Sequence, residues 1–375
     1  MFVVALAFAV VRVFQCRSAQ ISEVAARLQA RRVRIMFKCW LPPNAEFLDS
    51  TPSPLPAWTK AALGEFALVD MIGVDATRCE LTASDIAELQ ELSHLSYLEV
   101  YGEAFRNSEL AAVGVFPCLK TLVLHATSVT DDGIDGLFRS ESLQSLDLRG
   151  GYIGDRGVAA AAKSLQLTRL YLENLPITDE GLRAVSTIDS LRELYLVNVA
   201  VTNDGIAVLK SVRSLRTLVI DGTEVTGGGI RHIGQMRALR DLRFRVKSLD
   251  NDDLPQLTGL SLERLDVTES PIDNDGLFHI VRLTSLRELT LSYTDIDDDG
   301  MQHLRGLPML ETLLLRGLNI TDEGLSQLTC FQNLHTVDIS GTRVSEAGVK
   351  SLMNVYPRLR IIGARRMRNG LRSPL

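Results

Sequence analysis

The chain has 375 residues, 46% of them hydrophobic, with 40 Lys and Arg against 46 Asp and Glu. That much apolar content excludes a disordered chain, and the length alone would admit two ordinary domains. Seven of the bases and one acid lie in residues 1–40, and six bases with no acid in 355–375, so the stretch between carries about 18 more acids than bases. An acidic body of this kind excludes nucleic-acid binding along its length, because phosphate contacts need clustered Lys and Arg.

Taken in order, residues 1–14, MFVVALAFAVVRVF, form an apolar run broken only by Arg12. The run is shorter than the ~20 residues of a spanning helix and has no basic residue ahead of it, as a signal peptide would. It resembles the second half of a membrane anchor whose start lies upstream, or an atypical signal-anchor; a buried N-terminal strand is the alternative. The expectation is therefore a membrane-associated protein with its side of the membrane open, or else a cytoplasmic one. Residues 15–65 follow as an N-terminal cap and connection. Ile21, Val24, Ala25 and Leu28 share one helical face, Val33, Ile35 and Phe37 alternate as in a strand, and Pro42, Pro43, Pro52, Pro54 and Pro56 mark an irregular segment.

Residues 66–357 are periodic. A first Leu recurs at Leu95, Leu119, Leu143, Leu167, Leu191, Leu215, Leu239, Leu262, Leu286, Leu310 and Leu334, in steps of 24 residues except for 23 between Leu239 and Leu262. Each opens a Leu-x-x-Leu-x-Leu strand or a variant of it with Val, Ile or Phe in place of a later Leu, and a short helix follows. A degenerate copy starts at Val69, and Leu359 and Ile361 open a closing half-copy in 358–375, ahead of the basic tail. Such a period is the signature of a stacked repeat whose units bury their apolar edges only against neighbours. The predicted fold is an α/β leucine-rich-repeat solenoid of about 12 repeats of 24 residues.

Acids cluster before the glycine of each repeat, as at Asp131 and Asp132, Asp179 and Glu180, and Asp297, Asp298 and Asp299. Thr130, Thr178, Thr202, Thr226 and Thr321 stand just ahead, where a hydroxyl caps the helix while the carboxylates meet the positive end of its dipole. A calcium ladder along this edge is the alternative use of the same carboxylates. Five cysteines without Cys-x-x-Cys spacing indicate neither zinc nor a disulfide framework and are expected reduced and buried. His232, His279 and His303 occupy one slot of their repeats and are expected on exposed helix positions. Gly227, Gly228 and Gly229 open a helix, yet no phosphate-loop Lys follows. Neither catalytic nor metal-binding or cofactor-binding residues are predicted.

The segments LYLENLPITDEGL (Leu170 to Leu182) and LLLRGLNITDEGL (Leu313 to Leu325) resemble leucine-rich-repeat proteins of the "ITDEGL" subclass. That subclass is shared by F-box-type substrate receptors and bacterial membrane-anchored repeat proteins; the head of this chain is similar to the second group and shows no F-box. The resemblance implies a curved horseshoe, with parallel strands on the concave face, short helices on the convex face, and binding of another protein as the usual role.

With the Leu residues pointing inward, the residue between the second and third Leu and the one after the third face the concave side. Those rows place Tyr171 beside Tyr195, with Val197 and Val219 leading toward Arg243 and Arg245. Tyr and Arg dominate protein interfaces. The repeat from Leu239 also breaks the pattern: it is a residue short, has Asp253 where others have glycine, and carries Pro255. The predicted contact surface is Tyr171, Glu173, Tyr195, Val197, Arg243 and Arg245, on a monomeric, non-enzymatic scaffold for a protein partner. Recognition of a glycan or cell-envelope polymer is one alternative, and an F-box-like substrate adaptor another.

Overall fold

The computed structural model describes residues 95–363 apart from 115, 138–141 and 164–165, together with residues 23, 26–27, 34–39, 48–49, 69–76, 81 and 83–90. The apolar run 1–14, the prolines of the irregular segment (Pro42, Pro43, Pro52, Pro54 and Pro56) and the basic tail beyond 363 lie outside them. Among the described residues, no helix is long and apolar enough to cross a membrane.

The chain divides into two compact units, Met1–Ile177 and Thr178–Leu375. In the first, strands β1 (Arg34–Cys39), β2 (Leu48–Asp49), β3 (Val69–Ala76), β4 (Leu95–Tyr101), β5 (Thr121–His125), β6 (Ser145–Arg149) and β7 (Arg169–Glu173) lie in the sheet order β7-β6-β5-β4-β3-β1-β2. β3 to β7 run parallel, and β1 lies antiparallel against β3 and β2. In the second unit, β8 (Glu193–Val197), β9 (Thr217–Asp221), β10 (Asp241–Arg245), β11 (Arg264–Asp266), β12 (Glu288–Thr290), β13 (Thr312–Leu314), β14 (Thr336–Asp338) and β15 (Arg360–Ile362) are parallel and follow one another in chain order. A short helix or 3-10 turn follows each strand from β3 to β14. This is the predicted α/β repeat solenoid, and Val69 does begin a copy of its own.

Leucine spacing produces these strands directly. The eleven first Leu residues and the two that follow each are buried or nearly so: Leu191, Leu194 and Leu196, for example, are 0% exposed. A spacing of two places the second and third on the interior face of the strand, the first Leu packs inward just ahead of the strand or at its start, and the residues that flank the second and third alternate to the other face of the sheet. The chain then leaves the strand through a left-handed residue, as at Asn174 (φ 52°) and Asn198 (φ 49°), a conformation Asn tolerates better than most side chains.

Thr178, Thr202 and Thr321 cap the next helices as expected, each side chain accepting the N–H two residues on at 3.2 Å. Thr226 does not: its helix opens with a 3-10 turn at Gly227–Gly229 and lacks a side-chain cap bond. Its hydroxyl accepts instead from Asn203 Nδ2 at 2.7 Å.

That contact belongs to a ladder between repeats. Asp298 accepts the Thr321 N–H at 2.7 Å, the Thr321 hydroxyl at 2.6 Å and the Gly324 N–H at 3.0 Å. Asp131, Asp179 and Asp322 likewise take N–H groups of the following repeat, at Gly154, Thr202 and Ser345. The first acid of each pair was expected to face the helix dipole; it reaches across to the neighbouring repeat because a backbone N–H there has no other acceptor. The repeat glycine makes room for it. A Cβ at Gly205, Gly300 or Gly324 would collide with Asp179, Asn274 or Asp298 of the repeat before.

Candidate functional site

The open face of the sheet carries the candidate site. In the first unit, pairing aligns Glu99 with Val123, Val123 with Asp147, and Asp147 with Tyr171, while Arg149 aligns with Glu173. Arg149 donates to both oxygens of Asp147, at 2.8 and 2.7 Å, lies 3.8 Å from Glu173 and sits 4.5 Å over the Tyr171 ring. The carboxylates raise the affinity of that guanidinium for its proton, above all through the Asp147 bond. Burial, then the charge of Glu173, raises the Tyr171 phenol. Both residues are half-buried. Upstream, Tyr97 donates to Glu99 at 2.6 Å and His125 meets the other Glu99 oxygen at 3.0 Å.

In the second unit, one row runs Tyr195, Val219, Arg243, Asp266, and the next runs Val197, Asp221, Arg245. Tyr195 donates to Glu193 at 3.1 Å. Val219 is only 8% exposed, so the expected apolar bridge between Val197 and Arg243 is narrower than the rows suggest. Arg245 donates to Asp266 from Nε at 3.1 Å and Nη2 at 2.6 Å and lies 3.6 Å from Asp221. Arg316 approaches Asp338 at 3.4 Å further along.

A third row on this face went unread in the sequence. The residue just before the second Leu of each repeat shares the face with the other two rows, and Asp241 and Arg264 occupy it side by side. Arg264 Nε donates to Asp241 Oδ2 at 2.8 Å, and the alternation of the strand was the signal that could have found the pair. Tyr293 was also missed. It is 53% exposed and takes φ 58° at the strand exit, an uncommon state for a bulky residue.

Other side chains answer earlier expectations. Cys118 and Cys330 are free thiols, but neither is buried as expected: Cys118 is half-buried and Cys330 exposed. His303 is exposed, whereas His232 and His279 are half-buried and hold Nδ1 atoms away from solvent without a partner. Among the described residues, no cluster of three His, Cys, Asp or Glu is placed to hold a metal.

The repeats carry a family signature. A leucine-rich-repeat model matches residues 139–160 and 282–304. Among solved structures, an internalin from Listeria monocytogenes superposes with a TM-score of 0.52 at 15% identity, covering 93% of this chain and 96% of its own. A leucine-rich-repeat protein of Leptospira interrogans gives 0.44 at 16% identity over 76% and 81%. No curated protein matches the sequence. The chain thus has the fold of a leucine-rich-repeat solenoid, and no catalytic family is indicated.

Proposed function

We propose that the chain is a non-enzymatic scaffold that binds a partner protein through the open face of its sheet. The observation that carries this is the register of the second unit, which aligns Tyr195 and Arg243 in one row and Val197 and Arg245 in the next. An aromatic anchor beside guanidinium groups is the composition of interface hot spots. The interior Leu rows are used in packing and the acids of the helix edge in the ladder, so the strand rows, several of whose side chains pair with one another, are the surface proposed for recognition. Tyr171 and Glu173 lie on the open face of the first unit and are proposed as contacts there.

The test is capture by the full chain carrying a photo-crosslinking residue at Val197, compared with a Tyr195→Ala, Arg243→Glu variant of unchanged circular dichroism. A defined protein cross-linked by the parent and lost by the variant is the expected result. Equal cross-linking by both removes the surface from the proposal. A carbohydrate captured instead supports the glycan alternative.

A further inference from the structure

On the open face of the second unit, Asp241, Arg243, Arg245, Arg264, Asp266 and Glu288 line a depression of about 140 Å³ together with Leu265, Thr290 and Leu314. Most of its charges are already committed. Arg245 is held by Asp266, and Arg264 Nε by Asp241 Oδ2. Besides Glu288, two groups are left over, both on one strand, two residues apart on the same face. Asp241, whose side chain is 5% exposed, keeps its Oδ1 buried without a hydrogen-bond partner. Arg243, 47% exposed, approaches that oxygen only at 3.9 Å, which is too long for a hydrogen bond.

A buried carboxylate oxygen without a donor is costly, and beside it stands a guanidinium with donors to spare. The pair together asks for one group that both gives and accepts. The lining holds three guanidiniums and three carboxylates, so its charge is balanced. An incoming carboxylate would face Asp241 Oδ1, and an incoming ammonium would face Arg243; a neutral amide suits both. The volume is well below the roughly 300–1,000 Å³ of small-molecule pockets, so the depression admits one side chain rather than a whole ligand. We infer that it is a specificity pocket for an Asn or Gln side chain of the bound polypeptide, the carboxamide oxygen accepting from Arg243 and its N–H donating to Asp241 Oδ1. This rests on the open face being the protein-binding face. Because Asp241 Oδ1 is closed from solvent in the free chain, Arg243, long and half-exposed, swings off it as the carboxamide enters and turns toward the incoming oxygen.

The experiment pans a phage-displayed random heptapeptide library against the full chain and measures an enriched peptide by fluorescence polarisation. Retained sequences are expected to share an Asn or Gln at one position. Changing it to Ala or Asp should weaken binding tenfold or more, and Arg243→Met or Asp241→Asn should weaken binding equally and abolish that discrimination. Arg243→Met carries the test if Asp241→Asn disturbs the fold, because the Arg243 side chain is exposed. An Asp peptide that binds as tightly as its Asn counterpart overturns the carboxamide assignment. Binding that is lost with Tyr195→Ala but unaffected by Arg243→Met overturns the pocket and leaves the open-face proposal standing. Binding insensitive to both variants, or none at all, overturns the two together.

Discussion

Replacing Gly227 by Asn would give this repeat the ladder side chain its neighbours carry, and it should destabilise the protein. The space is taken: a Cβ at 227 would overlap the carboxylate of Asp253 and lie 2.8 Å from the Ser248 carbonyl oxygen. Asp253 stands where other repeats have glycine, and its Oδ2 accepts the Asp250 N–H at 3.2 Å, the bond a side chain at 227 would otherwise supply. The two departures from the repeat therefore compensate each other. Overpacking by Gly227→Asn is expected to cost about 1–3 kcal/mol. Asp253→Gly alone loses one hydrogen bond, about 1 kcal/mol, plus roughly 0.5–1 kcal/mol for a mobile glycine. Combined, they should fall short of that sum by about 1–2 kcal/mol. The introduced amide could then reach Asp250, as Asn251 reaches Asp273 at 2.6 Å and Asn274 reaches Asp297 at 2.7 Å. The Ser248 contact prevents complete recovery. Urea unfolding followed by circular dichroism on the four proteins of the cycle measures this coupling. Additivity within about 0.5 kcal/mol would refute the compensation and make the irregular repeat mere drift.

Asp298→Ala removes three inter-repeat hydrogen bonds and should cost about 2–4 kcal/mol at roughly 1 kcal/mol each with some penalty for orphaned N–H groups; the exposed neighbour Asp299 changed to Ala should stay within about 0.5 kcal/mol, and comparison of their urea midpoints checks both. The ladder also sets an acid limit. Hydrogen bonds, led by Asn274 for Asp297 and by Ser345 for Asp322, hold these carboxyls below the ordinary range. With the folded value depressed below an unfolded one of about 3.9, their stabilising contribution is present above that pH and lost as pH falls through the folded values. Acid titration monitored by circular dichroism should show a shallower loss of stability below about pH 4 in Ser345→Ala than in the parent, and identical slopes would count against the ladder as its source.

The fold was legible because its signal is a single residue type repeated over eleven strands. Apolar residues at positions four and six of each copy share one face of an extended strand, and with the Leu ahead of them they are buried only if neighbouring copies stack; the observed register follows that pattern within each unit. The strand rows came from the same alternation, yet the row containing Asp241 and Arg264 lies before the second Leu, one step outside the two rows that flank the third. The ladder was hidden for a different reason. Helix capping is local and visible in a short window, whereas Asp298 and Thr321 meet only through stacking, 23 residues apart. Gly227 and Asp253 each stood out in the sequence, one in a glycine run and the other as a missing glycine. Nothing local relates them; the space they share does.

The ladder has a chemical grammar that bears on what the acidic body means. Where the capping residue of the following repeat is Thr or Ser, the preceding side chain is Asp at 179, 298 and 322 or Asn at 203. Where the cap is Asp, the preceding side chain is Asn, at 251 and 274. A hydroxyl both gives and accepts, but an ionised carboxylate only accepts, so an Asp cap excludes a carboxylate across the gap and a hydroxyl cap does not. Carboxylates on this edge are thus assigned by the need to satisfy backbone N–H groups between repeats. The ladder acids, Asp131, Asp179, Asp298 and Asp322, are poor evidence for a cationic ligand there, because their oxygens are already in use. On the open face of the second unit, by contrast, Arg243, Arg245 and Arg264 stand among an equal number of acids lining the same depression. Long-range charge would steer cations toward the body as a whole, while the contact surface itself selects on hydrogen-bond pattern and shape. A partner chosen from the net charge alone would be sought among basic proteins, and the geometry of Asp241 and Arg243 gives no reason to restrict the search to them.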